Sequence, residues 1–447
     1  MKKYLLLLTV LVFFSSSFAQ KKNKVNSLSD KTPVIQKNIS DSALLDLVQK
    51  QTFKYFWNFA DPVSGMARER SNITDYGNEV CATGGTGFGI MATIVAAERK
   101  WITRDTAAGR LLRLVKFLSK ADKYHGIFPH WLNGETGKTI PFSSKDDGGD
   151  IVETSYLMEG LLCAREYFNG DNPKEKQIRQ RITWMWNDVE YAWQTRGGIS
   201  VLYWNWSPNN GWGMNAEIRG WNECLIAYIL AASSPEHSIE PDVYKRGWAV
   251  NNNFTNGRKF YGYTLPLGYD YGGPLFFAHY SFLGLDPHGL KDKYADYWEQ
   301  NQNHTLINHA YCVDNPKHYK GYGADCWGLT ASDSYVGYSA HSPLNDLGVI
   351  SPTAALSSFP YTPEYSMQAL KHFYFDLGDK IWGEYGFVDA FSESKNWYAK
   401  SYLAIDEGPI VVMIENYRSG LLWKLFMNIP EIQQGLKRLG FENPDVK

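Results

Sequence analysis

Lys145-Asp146-Asp147-Gly148-Gly149-Asp150-Ile151-Val152-Glu153 closes a polar, glycine-containing loop and opens an apolar run that continues to Phe168. Apolar residues recur through that run at three- and four-residue spacing, the period of a helix with a buried face. The same unit, a long loop feeding a helix, repeats along the chain. Helical periodicity covers residues 42–60, 87–101, 107–121, 150–168, 174–193 and 221–233, then 243–251, 274–282, 290–315, 363–377, 409–427 and 429–439. Pro363 and Pro409 suit first helical turns. The intervening loops are rich in Gly, Trp, Asn and Asp, as in 195–213 and 319–343, and long loops in a compact domain commonly carry function. No repeat of solenoid or propeller length is present. The pattern predicts an all-α fold, one α/α toroid over residues 41–447 with its long loops gathered on one side.

Composition narrows the function. Lys+Arg 45 against Asp+Glu 47 gives a formal charge of −2, so no basic stripe is available to neutralise phosphates, which argues against a nucleic-acid partner. Hydrophobic residues at 44% and charged residues at 21% mark a soluble globular protein. Aromatic content is high at 15%, from Trp 16, Tyr 29 and Phe 23. Met1-Lys2-Lys3, the apolar run 4–14 and the small residues ending at Ala19 read as a secretory signal peptide over 1–19. The expected destination is the periplasm or the medium. Residues 20–40 read as a polar, disordered leader, and no later stretch is apolar over the roughly 18 residues that stable membrane insertion needs. Five cysteines at irregular spacing show neither a disulfide framework nor metal pairs, and a Cys312–Cys326 bond is left open. The sequence assigns no oligomeric state.

Several familiar signatures fail. Gly84-Gly85-Thr86-Gly87-Phe88-Gly89 matches neither dinucleotide nor P-loop patterns, has no strand-forming run before it, and reads as a flexible entry to the next helix. HExxH and GxSxG are absent, so no metal or other cofactor is expected. What remains is acids beside aromatics. Asp146, Asp150 and Glu153 are spaced four and three apart, which places them together at a helix start. The competing reading is a capping box, with Asp150 as N-cap and Glu153 at N3. That reading leaves Asp146 and Asp147 unaccounted for, since crowded acids raise one another's pKa. Glu223 opens an apolar helix after a Trp-rich loop, where desolvation would suit it to donate a proton; dipole stabilisation of the helix start is its alternative. Asp406 precedes another helix in the same way, and Asp389 shares the ambiguity. Trp131, Trp204, Trp206, Trp212, Trp327 and Trp397 sit among polar loop residues, where aromatic faces can cover the C–H face of a pyranose. Acids with loop aromatics point to carbohydrate hydrolysis by two carboxylates.

Longer blocks carry a resemblance. Phe53-Lys54-Tyr55-Phe56-Trp57 with Gly65-Met66-Ala67-Arg68-Glu69-Arg70, the Gly84–Gly89 segment, Ser351-Pro352-Thr353-Ala354-Ala355, and the stretch from Asp406-Glu407-Gly408-Pro409 to Asn416-Tyr417-Arg418 resemble the bacterial glucoamylase-like domain. Within that group the chain is similar to glycoside hydrolase family 144, the β-1,2-glucanases, from about residue 45 to about 440. The resemblance implies an (α/α)6 toroid and metal-free, anomer-inverting hydrolysis of a neutral β-1,2-glucan. It places the acidic cluster on Asp146, Asp150 and Glu153 and the proton donor on Glu223, with Asp150 or Asp406 as base. It assigns sugar binding to Arg68, Glu69, Asp333 and the tryptophans Trp131, Trp204, Trp212 and Trp327. Family members divide between endo-cleavage and exo-release of sophorose. The segment 301–343 could close one end of the cleft, which favours the exo mode. A non-catalytic glucan-binding protein and a polysaccharide lyase are the competing functions. The acidic cluster argues against the lyase, because it would repel an anionic substrate.

Overall fold

The structure is a computed structural model that describes residues 34–72 and 77–444. Its helices are α1 Asp41–Lys54, α2 Thr83–Glu98, α3 Arg104–Leu118, α4 Ile151–Tyr167, α5 Pro173–Asp188, α6 Leu225–Ser233, α7 Tyr297–Asp314, α8 Pro352–Leu356, α9 Pro363–Lys371, α10 Gly378–Ile381, α11 Ala404–Ser419, α12 Leu421–Met427 and α13 Pro430–Leu439. Burial sorts them into two kinds. In α2, α4, α6, α8 and most of α11 nearly every residue is buried, whereas α1, α3, α5 and α9 bury one face only. A helix apolar all round belongs inside, and an amphipathic one belongs outside with its stripe turned inward.

The two kinds alternate along the chain. Each outer element (α1, α3, α5, the turn Val243–Trp248, α7, α9) is followed by an inner one (α2, α4, α6, the 3₁₀ turns Leu275–Ala278 and Tyr280–Phe282, α8, α11). Neighbours in the inner ring pack on each other: α2 on α4 and on α11, and α4 on α6. This is the (α/α)6 toroid, with one continuous apolar core between and within the rings. Short antiparallel strands decorate the loop side, including Val80–Ala82, Trp131–Asn133 and Thr139–Ile140 in one sheet.

Several expectations shift. Helix α2 begins at Thr83 and takes in all four glycines, so the expected flexible entry is helix, and a short strand does precede it. The reason is packing. A Cβ on Gly87 would lie 2.1 Å from the Tyr156 carbonyl oxygen, and one on Gly160 would lie 2.2 Å from that of Gly87. On the other side of α2, a Cβ on Gly85 would meet the Ala404 Cβ at 2.7 Å. Helix α11 starts at Ala404, so Pro409 is its sixth residue rather than in its first turn. It stops at Gly420, whose φ of 66° is left-handed, and α12 is separate. Helix α7 starts at Tyr297, capped by Asp296, which makes residues 301–314 of the expected closing segment part of an outer helix.

The expected signal peptide and most of the expected leader lie outside the described residues. The end of that leader, 34–40, is ordered: Ile35 and Ile39 pack on the core, and the Gln36 N–H donates to the Tyr374 hydroxyl at 2.9 Å. All five cysteines, Cys312 and Cys326 included, are buried free thiols. Among the described residues no helix is long and apolar enough to cross a membrane. Replacing Gly87 by Ala should cost about 1–3 kcal/mol through forced separation of α2 and α4, despite the better helix propensity of Ala. Urea denaturation of the variant checks this, and an unchanged midpoint would contradict the packing account.

Candidate active site

The N-terminal ends of the inner elements surround a cavity of about 280 Å³. Its wall carries three carboxylates (Glu69, Glu153, Glu223), two basic groups (Arg70, His130) and the aromatic rings of Trp131, Phe142, Trp204, Phe276, Tyr280 and Tyr338. Helix N-termini expose unpaired N–H groups and a partial positive charge, so converging carboxylates are stabilised there.

One acidic group gathers at the start of α4. Asp150 is its N-cap: Oδ1 accepts the N–H groups of Val152 and Glu153 at 2.9 and 3.0 Å, and Oδ2 pairs with His130 Nδ1 at 2.9 Å. Glu153 does not complete a capping box. Its Oε2 crosses to the neighbouring inner helix and accepts the Gly84 N–H at 2.7 Å, and its Oε1 lies 3.9 Å from His130 Nε2. Asp146 is buried and accepts from Asn205 Nδ2 at 2.8 Å. Burial, then Asp150, pushes the Asp146 carboxyl up to about 7. Burial alone would lower His130, but Glu153, Asp150 and Asp146 outweigh it and raise the imidazole to about 9. One ligand atom each from His130, Asp146 and Asp150 lies within 4.8 Å of the others, which is cation-site spacing.

Glu223 stands two residues before α6, partly recessed in the cavity wall. Its backbone carbonyl accepts the hydroxyls of Tyr156 and Ser281. Burial, reinforced by Glu153 and Asp150, raises its carboxyl to about 7.

A second acidic group forms on the α11 side. Arg70 donates from Nε to Glu69 at 2.9 Å and from Nη1 to both oxygens of Asp333 at 3.2 Å. Ser401 also donates to Asp333. The Asp333 N–H donates to Asp389 Oδ2 at 2.7 Å. Asp406 and Glu407 are buried in the first turn of α11, and burial holds both well above the ordinary carboxylate range.

Of the residues singled out in the sequence, Glu223, Glu153, Glu69, Trp131 and Trp204 line the cavity. Asp146 and Asp150 cluster with His130, Asp333 pairs with Arg70, and Asp406 is buried next in the chain to the wall residue Ile405. Of the residues expected to hold the sugar, three are placed elsewhere. Arg68 is tied to the carbonyls of Asn78 and Phe59 and covers the Phe59 ring. Trp212 packs with Trp193 and Tyr203. Trp327 is fully buried in the core against His309. His130, Phe142, Tyr280 and Tyr338 join the site unannounced by any motif, and Arg70 joins it from the Gly65–Arg70 block, where no role was assigned to it. Phe142 stacks on His130 at 4.0 Å and is 49% exposed at the cavity.

Comparison with known proteins places this geometry. A glucoamylase family model (Glycoamylase) matches residues 215–430. The chain is 47% identical over 422 residues to the exo beta-1,2-glucooligosaccharide sophorohydrolase (non-reducing end) of Parabacteroides distasonis, covering 90% of this chain and 58% of that relative. It thus spans less than two thirds of that relative's length. The structure of the endo-β-1,2-glucanase from Chitinophaga pinensis, in complex with sophorotriose and glucose, superposes with a TM-score of 0.89 at 58% identity, covering 91% of this chain and all of that one. The endo-β-1,2-glucanase of Talaromyces funiculosus shares the fold alone, with a TM-score of 0.62 at 11% identity over 89% of this chain and 88% of that one.

Asp150→Asn keeps an oxygen for the Val152 and Glu153 amides but removes the charge paired with His130. The His130 contribution to stability is complete below about 6.5 and is lost as pH rises through about 9. The variant should lower the His130 titration midpoint by about one pH unit or more, read by NMR of the imidazole protons. Asp150→Ala should in addition lose a cap of about 1 kcal/mol.

Proposed function

We propose, for a chain that belongs to the glucoamylase-like family of β-1,2-glucanases (glycoside hydrolase family 144), that it hydrolyses β-1,2-glucosidic bonds by an inverting, two-carboxylate mechanism. The observation that carries this is Glu223, a carboxyl at the cavity wall raised by burial to about 7. At neutral pH it holds the proton that the leaving glycosidic oxygen requires.

An inverting reaction also needs a base across the scissile bond, roughly 6.5–9.5 Å from the acid, with room for water between them. Asp150 is poorly suited, because both of its oxygens are already engaged by the α4 amides and His130. Asp406, buried in the first turn of α11, has neither oxygen engaged by an N–H or hydroxyl among the described residues, and in this reading it serves as base through an intervening water or sugar hydroxyl. Trp131, Phe142 and Trp204 offer faces for the glucosyl rings, and Glu69 and Arg70 offer hydrogen bonds to their hydroxyls.

The first reading of mode is exo-release of sophorose. The loop after α7 supports it, since its hairpin, Ala331–Ser332 paired with Ser339–Ala340, brings Tyr338 to the cavity. Endo-cleavage is the second reading, favoured by the whole-length match to the Chitinophaga endo-enzyme. Residues 1–19 support export to the periplasm or beyond.

Glu223→Gln should lower kcat on β-1,2-glucan by about 10²–10⁴-fold with the melting temperature preserved. In the wild type, kcat/KM should fall as pH rises through about 7, as the acid loses its proton. Product chromatography separates the modes. Sophorose alone at the earliest times means exo action, and a ladder of mixed lengths means endo action. No hydrolysis of either glucan or oligosaccharides would overturn the assignment.

A further inference from the structure

Three buried serines of the inner ring bond back along their own segment. Ser155 donates to the Ile151 carbonyl, Ser233 to that of Ile229 and Ser358 to that of Ala354, each four residues earlier. Ser281 does not. It lies in the turn Tyr280–Phe282, where 3₁₀ turns take the place of an inner helix, and its hydroxyl reaches across to the neighbouring sector. Its side chain is fully buried.

What Ser281 reaches is the backbone at the start of α6. Its hydroxyl donates to the Glu223 carbonyl and accepts the Ile226 N–H at 3.0 Å, using the group's single donor and one of its acceptor sites. Helix α6 needs this bond. Its N-cap is Cys224, whose side chain caps nothing, so the Ile226 N–H is among the amides that a helix start leaves unpaired. Tyr156 of α4 brings a second hydroxyl to the Glu223 carbonyl at 3.3 Å. On the other side, Asn222 Oδ1 accepts the Cys224 N–H at 2.9 Å. Glu223 is thus enclosed in a turn closed by its own neighbour and held by hydroxyls from two other elements.

The turn that carries Ser281 is itself pinned from several sides. Glu159 of α4 accepts the Gly284 N–H at 2.8 Å. Asn416 of α11 donates to the Leu283 carbonyl at 2.9 Å, Trp423 of α12 to the Phe282 carbonyl at 2.8 Å, and the Tyr361 hydroxyl to the Ala278 carbonyl at 2.9 Å. Side chains from neighbouring elements do here what a helical ladder does elsewhere, and they leave the Ser281 hydroxyl at a fixed point.

We propose that Ser281 is a positioning residue for hydrolysis: it supplies from another element the N-cap that α6 lacks, and by gripping the Glu223 carbonyl it fixes where the Glu223 carboxyl enters the cavity. The inference rests on Glu223 being the acid of the proposed reaction. Ser281 itself is not part of the cavity lining, so it acts through Glu223.

Ser281→Ala, compared on two leaving groups, tests this. A β-1,2-glucosidic bond needs a proton on the departing sugar oxygen, whereas a 2,4-dinitrophenolate departs without one. The variant should lower kcat on β-1,2-oligosaccharides by about 10–100-fold, with KM within about twofold of the wild type. On the same oligosaccharides carrying a 2,4-dinitrophenyl leaving group, kcat should stay within about threefold. Tyr156→Phe removes the longer of the two hydroxyl bonds and keeps the ring. It should show the same pattern at smaller size, and it carries the test should Ser281→Ala fail to fold. An equal loss on both leaving groups means a structural role, and no loss on either means that the bond is idle; both results overturn the proposal.

Glu223→Gln, run alongside, separates this inference from the functional reading. It should show the same leaving-group dependence more strongly. If it does not, or if the wild type cleaves neither substrate, the functional reading fails instead. Positioning is then still decided without turnover. Carboxyl NMR of protein with ¹³C-labelled glutamate follows Glu223, whose carboxyl burial raises to about 7. Released toward water in Ser281→Ala, its midpoint should fall by about one pH unit or more, and an unchanged midpoint overturns the proposal.

Discussion

Backbone contact between inner helices is the constraint on which the rest depends. Gly87 and Gly160 let α2 and α4 approach until any side chain would strike a carbonyl. Gly408, on α11, leaves no space either, since a Cβ there would lie 2.4 Å from the Phe88 Cβ. Each helical glycine costs about 1 kcal/mol against alanine, so four near the start of α2 are a substantial local penalty. What offsets it is position. The close approach brings the Gly84 N–H to the Glu153 carboxylate at 2.7 Å, and a Cβ on Gly84 would fall 2.6 Å from that same oxygen. The packing of the ring and the placement of an acid in the cavity are one arrangement.

Electrostatics then separate the acids by environment. His130 is shared by Asp150 and Glu153, and Arg70 by Glu69 and Asp333. Each cation thus holds one acidic group together on its own side of the cavity. Glu223 is governed chiefly by burial, and Asp406 by burial and by Asp389. Acids whose environments push their protonation apart are what acid–base chemistry at neutral pH requires. Helix N-termini at the cavity lower the cost of concentrating so many carboxyls in one place.

Residues of similar local sequence part company in the fold. Trp131 and Trp327 both lie in polar, turn-rich stretches, yet Trp131 lines the cavity while Trp327 is closed off beneath His309. Arg68 and Arg70 are two residues apart. Arg68 bridges to Cys81 on the sheet side, whereas Arg70 bridges to Leu403 at the start of α11 and so reaches the site. Asp150 carries both readings open to it in the sequence, helix cap and member of the acidic cluster, because its two oxygens serve different partners.

The sequence by itself determined what short-range rules govern. Helical periodicity located most of the inner and outer helices, though not the inner helix Pro352–Leu356, and the Asp150 cap and the place of the Glu223 carboxyl just before an apolar run follow from residues adjacent in the chain. Only the tertiary structure decided that the glycines of α2 are a contact surface, and that His130, Phe142, Arg70 and Tyr338 meet these acids. Those relations join segments from different sectors of the toroid, and closing the ring, rather than any local preference of the chain, brings such segments together.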